Sequence, residues 1–224
     1  MMTRDEIISN LGGRPEPGKE RLRYFEQLYG QIVGWVSDPD KQWLVDFLPE
    51  YSLSLKTDPK ILEVGTFGGS TARGLVALTG GRITCIDDWR DFHPAGAPDE
   101  SSKTAKTGPE FFWETLRGYG ADLSGQVDAI LTGNSQEIGP GWIEPLDVLF
   151  VDGDHSYDGA SADIGLFSPH VLPGGLLLVD DYDMPEVRRA CMDMPEQEWW
   201  SVFRVPTQPA KVYAAKKRSR RRYS

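Results

Sequence analysis

Cysteine is scarce in this 224-residue chain: only Cys85 and Cys191 occur, and neither belongs to a CxxC pair. A disulfide framework is therefore not expected, and two buried free thiols in a reducing cytoplasm are. Long apolar runs are missing too, since none approaches the roughly 18 residues that a membrane helix needs. The opening "MMTRDEIISNLGGRPEPGKER" has no apolar h-region, so no secretory signal is expected. Acidic residues are absent from the last fourteen positions, "KVYAAKKRSRRRYS", which hold seven Lys/Arg. Net charge over the chain is −10, so the other 210 residues carry 17 basic and 34 acidic side chains and a net of −17. An acidic body disfavours nucleic acid as the main partner; the basic end is expected to be solvated, with residues 216–224 a disordered tail.

Two phosphate-binding signatures are also absent. The glycine-rich turn "EVGTFGGST" at 63–71 lacks the GK[ST] of a P-loop, and its G-x-x-G-G spacing with Phe67 is not G-x-G-x-x-G. ATP, GTP and dinucleotides therefore fit this turn less well than a ligand without phosphate.

What is present is an alternation of apolar runs and helical stretches. "KILEVG" (60–65), "RITCIDDW" (82–89), "VDAILTG" (127–133), "LDVLFVDG" (146–153) and "LLLVDDYD" (176–183) read as strands. Helices are expected within 17–52, over 69–80, from Tyr157 to a break at "PGG" (173–175), and over 184–194. "WWSVFRVP" and "AKVYAA" close the chain as two more strands. Near-continuous apolar strands alternating with helices predict an α/β fold, a parallel sheet covered on both faces. Residues 1–55 form an N-terminal helical cap or subunit interface, 56–215 the main domain, and 88–112 a lid-like loop.

In such sheets ligands bind beyond the carboxyl ends of the strands, near the point where strand order reverses. Five polar clusters fall at such ends: 63–69, 87–91, 133–137, 152–157 and 180–183. Glycines 65, 68 and 69 allow a tight turn and close backbone approach to a ligand. Asp87, 22 residues after Gly65, suits a pair of ribose hydroxyls. Asn134, Ser135 and Gln136 offer hydrogen-bonding groups for an adenine edge. Asp152, Asp154, His155 and Asp158 follow one strand, and Asp180, Asp181 and Asp183 another.

Taken together, "ILEVGTFGGST", "ITCIDDW", "LTGNSQE", "LFVDGDHSYDG" and "LPGGLLLVDDYD" resemble a class I S-adenosylmethionine-dependent methyltransferase, closest to the macrocin O-methyltransferase and cephalosporin hydroxylase-like group. The likeness spans about residues 58–190. It implies a Rossmann-like, doubly wound, mainly parallel seven-stranded sheet with the last strand antiparallel and helices on both faces. It also implies S-adenosyl-L-methionine held by Glu63, Gly65, Thr66, Phe67, Gly68, Gly69, Ser70, Asp87, Asp88, Trp89, Ser135, Gln136 and Asp152. By comparison with metal-dependent catechol- and caffeoyl-type O-methyltransferases, Asp152, Asp180 and Asp181 match a divalent-metal set, with Mg²⁺ the expected ion; Asp181 replaces an Asn. The lysine base of the catechol enzyme falls at His155.

A histidine with a pKa near 6.5 can accept a proton at neutral pH, so His155 and Asp152 are the candidate catalytic residues. Orienting Asp152 or capping the next helix are the other roles open to His155. Asp154 is a weaker metal or loop candidate, and His93 a second base or substrate contact. The resulting expectation is a cytoplasmic O-methyltransferase, metal-assisted, acting on a small hydroxylated molecule such as a sugar or natural-product scaffold. A metal-independent methyltransferase on another atom, and a non-catalytic binding protein on the same fold, stand as alternatives.

Overall fold

The computed structural model describes residues 19–29, 38–90, 107–118, 121–195, 198–204 and 211–218. The helices are α1 (Lys19–Tyr29), α2 (Asp38–Ser54), α3 (Ser70–Thr79), α4 (Gly108–Arg117), a single turn α5 (Ser135–Ile138), α6 (Tyr157–Phe167) and α7 (Pro185–Met192). The strands are β1 (Lys60–Val64), β2 (Arg82–Asp87), β3 (Val127–Thr132), β4 (Leu146–Val151), β5 (Val171–Val179), β6 (Trp199–Arg204) and β7 (Tyr213–Lys217). All seven strands form one sheet in the order β3-β2-β1-β4-β5-β7-β6. The first five run parallel, and β7 lies antiparallel between β5 and β6.

Strand β4, "LDVLFV", is buried at five of its six positions because helices cover both sheet faces. On one face Leu44 and Leu48 of α2, Leu75 and Val76 of α3, and Phe112 and Leu116 of α4 pack on Ile61, Ile83, Val148 and Phe150. On the other, Ala160, Ile164 and Phe167 of α6 and Val187 and Cys191 of α7 pack on Leu62, Val64, Leu149 and Val151. Helix α2 therefore contributes to the main core, within the stretch expected as a cap. Among the described residues no helix is long and apolar enough to cross a membrane.

Three local differences from the sequence expectation have clear causes. Residues 108–112 begin a helix, although 88–112 was expected as one loop: Thr107 and Glu110 close a reciprocal capping box and Pro109 sits in the first turn. Residues 173–175 do not break the chain, because β5 already starts at Val171 and absorbs "PGG" as a register shift beside β4. Lys216 and Lys217, expected within the disordered tail, belong to the sheet. Lys217 lies in β7 and its ammonium donates to the carbonyls of Ser168 and Pro169 beyond the C-terminus of α6.

Candidate active site

Strand order reverses between β1 and β4, and the loops leaving β1, β2, β3, β4 and β5 enclose a cleft of about 810 Å³ there. Backbone bonds carry the sheet register into these loops. The Asp152 N–H donates to the Val64 carbonyl at 2.8 Å, and that of Asp180 to the Val151 carbonyl at 2.9 Å. With Val151 paired to Val179, Asp152 and Asp180 emerge side by side.

The glycine turn is tight, as expected, and close packing of protein against it is one reason. Gly65 has φ +84°, and a Cβ there would stand 2.0 Å from the Asp152 carbonyl oxygen. Side chains at 68 and 69 would press on Phe111 and Phe112 of α4. These glycines let protein pack against protein, which fixes the turn over the cleft. Phe67, also left-handed at φ 44°, is the exposed residue of the turn.

Asp87 secures this arrangement. Its two oxygens accept the backbone N–H groups of Phe67 and Trp89, each at 2.7 Å, so one carboxylate joins the glycine turn to the end of β2. Each oxygen retains a second lone pair, and Asp87 lines the cleft, as a diol-binding carboxylate must.

Gly65, Thr66, Phe67, Gly68 and Ser70 line the cleft as well, together with Asp88, Ser135, Gln136 and Asp152. Three expected contacts do not reach it. Glu63 is fully buried beneath the turn, where burial, reinforced by the charges of Asp152 and Asp87, pushes its carboxyl up to about 8; the Cys85 thiol donates to it at 3.5 Å. Gly69 faces α4, and Trp89 packs edge-on against Phe112, 6.5 Å between ring centroids. Ser135 is committed by its hydroxyl to Asp163, at 2.6 Å, and that buried carboxyl is raised to about 6 by desolvation. His93 lies outside the described residues.

Beyond the ends of β4 and β5 the second cluster assembles on the same cleft. His155 Nε2 lies 3.6 Å from Asp152 Oδ1 and 3.0 Å from Asp181 Oδ2. Asp181 reaches it from a left-handed backbone, φ 53°, a conformation that Asp tolerates better than most residues. Lys211 closes the cluster from the far side, its Nζ 3.1 Å from Asp180 Oδ2 and 2.9 Å from Asp181 Oδ1. Asp154 turns instead into the start of α6, accepting from the Ser156 N–H at 2.8 Å.

Sequence reasoning missed Lys211, which is 30 positions beyond Asp181 and sits in a segment assigned to a basic chain end. The only signal available was its place just before the last strand, whose antiparallel pairing with β5 carries it to the β5 terminus.

These contacts reset the acid–base properties of the cluster. Hydrogen bonds to Asp152 and Asp181 raise His155 to about 10, so the free-imidazole value near 6.5 does not carry over and the ring holds its proton at neutral pH. His155 in turn, aided by Lys211, lowers Asp181 to about 2. Burial raises Asp152 and takes Asp180 to about 7, with Asp152's charge adding to the latter. Ligand atoms of Asp152, His155 and Asp181 lie within 4.8 Å of one another, close enough to share one cation. Asp180, expected as a third carboxylate ligand, is instead paired with Lys211.

A family model described as a methyltransferase domain matches residues 62–182, the stretch from β1 to just past Asp181. No curated protein sequence matches the chain. Among solved structures, the calicheamicin methyltransferase CalS11 is 18% identical, with 96% of this chain and 90% of that chain covered and a TM-score of 0.57. TomG, an O-methyltransferase of tomaymycin synthesis from Streptomyces achromogenes solved with SAM, is 17% identical over 98% of this chain and 100% of its own, with a TM-score of 0.55. The SAH-bound methyltransferase PaMTH1 of Podospora anserina is 12% identical over 95% and 93%, again with a TM-score of 0.55. At such identities these three speak for the fold alone, whereas the family match covers more than half the chain and takes in the glycine turn, Asp87 and the β4 and β5 carboxylates; the chain belongs to the class I S-adenosylmethionine-dependent methyltransferases.

Proposed function

We propose that this protein methylates a hydroxyl oxygen of a small molecule, such as a sugar or natural-product scaffold, in the cytoplasm. One observation carries the proposal: a single cleft is lined both by Asp87, a carboxylate placed after β2 as a ribose ligand would be, and by a proton-handling pair, His155 and Asp152, after β4. Two similar structures add support for the acceptor class, one being a TDP-rhamnose 3'-O-methyltransferase and the other an O-methyltransferase of tomaymycin synthesis. Two buried thiols, Cys85 and Cys191, support the compartment.

S-adenosylmethionine supplies, when bound, a methyl group on a positively charged sulfur. The residues of the cleft have three tasks around it. Asp87 and the turn it braces hold the nucleoside, with Ser135 and Gln136 along the adenine side. The acidic end orients the acceptor so that oxygen, methyl carbon and sulfur lie in line, which is the larger part of catalysis for such a displacement. The acceptor's proton is then taken by the Asp152–His155 pair acting as a unit: the imidazole is already protonated, and burial has made the Asp152 carboxylate more basic than usual. Magnesium belongs to this proposal as an ion that Asp152 and Asp181 would hold through carboxylate oxygens, with His155 joining them only on losing its proton; it would make the acceptor hydroxyl more acidic.

The test is calorimetric titration with S-adenosylhomocysteine, followed by an acceptor screen. Micromolar binding that Asp87→Ala abolishes is the expected result. Wild-type protein that does not bind the product nucleoside would overturn the reading.

A further inference from the structure

Two of the three carboxylates of the cluster are met by a cation that the chain supplies from just before its last strand. Lys211 bridges Asp180 and Asp181 at 3.1 and 2.9 Å, its side chain 21% exposed against 3% and 18% for its two partners. Its position is built rather than incidental. The Lys211 N–H donates to Asp40 of α2 at 3.2 Å, its carbonyl accepts the Tyr182 N–H at 2.8 Å, and the next residue, Val212, is buried in the core. The ammonium is thus held where the ends of β5 and β7 meet, and it lines the same cleft as Asp152 and His155. Asp180 Oδ1, buried, has no hydrogen-bond partner among the described residues.

We propose that Lys211 is the resident cation of the acceptor site: its ammonium holds Asp180 and Asp181 in place of a divalent metal, and metal and ammonium compete for the same carboxylates. A hard divalent cation binds through carboxylate oxygens at close to 2 Å and cannot share Asp181 with an ammonium already in contact. Lys211 is therefore a positioning residue that sets how far the site depends on metal. The inference deepens the proposed function and rests on it for the identity of the cleft's acceptor end; the metal titration below is independent of it.

Mn²⁺, followed by the electron paramagnetic resonance of the free ion, is the probe, with the full chain as wild type, Lys211→Met and Lys211→Arg. Wild type and Lys211→Arg are expected to bind only in the millimolar range. Lys211→Met is expected to bind at least about tenfold tighter, because a positive charge a few ångströms from the ion has been removed, allowing for screening. Adding Asp181→Asn to Lys211→Met should return the affinity to the wild-type level. Micromolar Mn²⁺ binding by wild type, or a Lys211→Met variant that binds no more tightly than wild type, overturns the proposal. Should Lys211→Met fail to fold, the wild-type affinity decides alone, micromolar against the proposal and millimolar for it. S-adenosylhomocysteine titration of wild type separates the two failures: loss of nucleoside binding sinks the methyltransferase reading while leaving the metal result standing.

Discussion

Replacing Glu63 by glutamine should change how stability depends on pH, and the size of the change follows from where the residue sits. Glu63 is completely buried, its Oε1 has no hydrogen-bond partner among the described residues, and its carboxyl titrates near 8 rather than the ordinary 4.5. Between those two values the unfolded chain has released a proton that the folded chain keeps. The unfolded state thus binds fewer protons, and stability falls as pH rises from 4.5 toward 8. At pH 7 the gap from 4.5 corresponds to roughly 3 kcal/mol of stability lost to this one group. Glutamine matches the shape and does not titrate, although its amide adds donors whose burial costs about 1–3 kcal/mol if they stay unpaired. That cost is the same at every pH. Urea unfolding at pH 5, 6, 7 and 8, followed by tryptophan fluorescence, should therefore give wild-type and variant curves that diverge, the variant gaining on wild type by roughly 1 kcal/mol per pH unit. Asp163, raised to about 6, titrates in both proteins and cancels in the difference. Parallel curves would refute the reasoning, since they would mean that Glu63 ionises alike in folded and unfolded chains.

Gly65→Ala places a Cβ 2.0 Å from the Asp152 carbonyl at φ +84°, and neither backbone can yield. A loss of at least about 2 kcal/mol and of S-adenosylhomocysteine binding is expected, read by thermal melting and calorimetry; unchanged binding would show that the two loops do not depend on each other. His155→Gln should lower kcat by about 10²–10⁴ while leaving the nucleoside affinity within about twofold, because the ring lies at the acceptor end; a kcat close to wild type would remove it from proton transfer. Arg73 is buried and donates to the carbonyls of Thr115, Leu116 and Ala121. Arg73→Met should cost about 3 kcal/mol or more by leaving those acceptors unpaired, with the midpoint of urea unfolding as the measure.

Much of the site was legible because parallel sheets impose it. Apolar runs such as "LDVLFV" can only be central strands, and once they are, the residues that follow them must collect at one rim. Asp87, Asp152, His155 and Asp181 were found this way, and all of them line the cleft. Trp89 was misplaced because sequence neighbours of a site residue can turn either way; here a left-handed backbone at 89 sends the ring into α4. Helix α4 was overlooked although "TGPE" at 107–110 carries a capping signal, because the polar stretch before it drew the boundary too late.

The amino-acid sequence by itself determined the α/β class, a mainly parallel sheet with an antiparallel last strand through its family resemblance, and the set of carboxylates at the strand ends, since hydrophobic period and turn chemistry are local properties. Only the tertiary structure decided the charge state of that set. An antiparallel last strand brings Lys211 onto Asp180 and Asp181 from 30 residues away, and the approach of Asp152 and Asp181 turns His155 from a neutral base into a protonated partner. Electrostatic energy depends on separation in space and on burial, and neither is recorded by position along the chain.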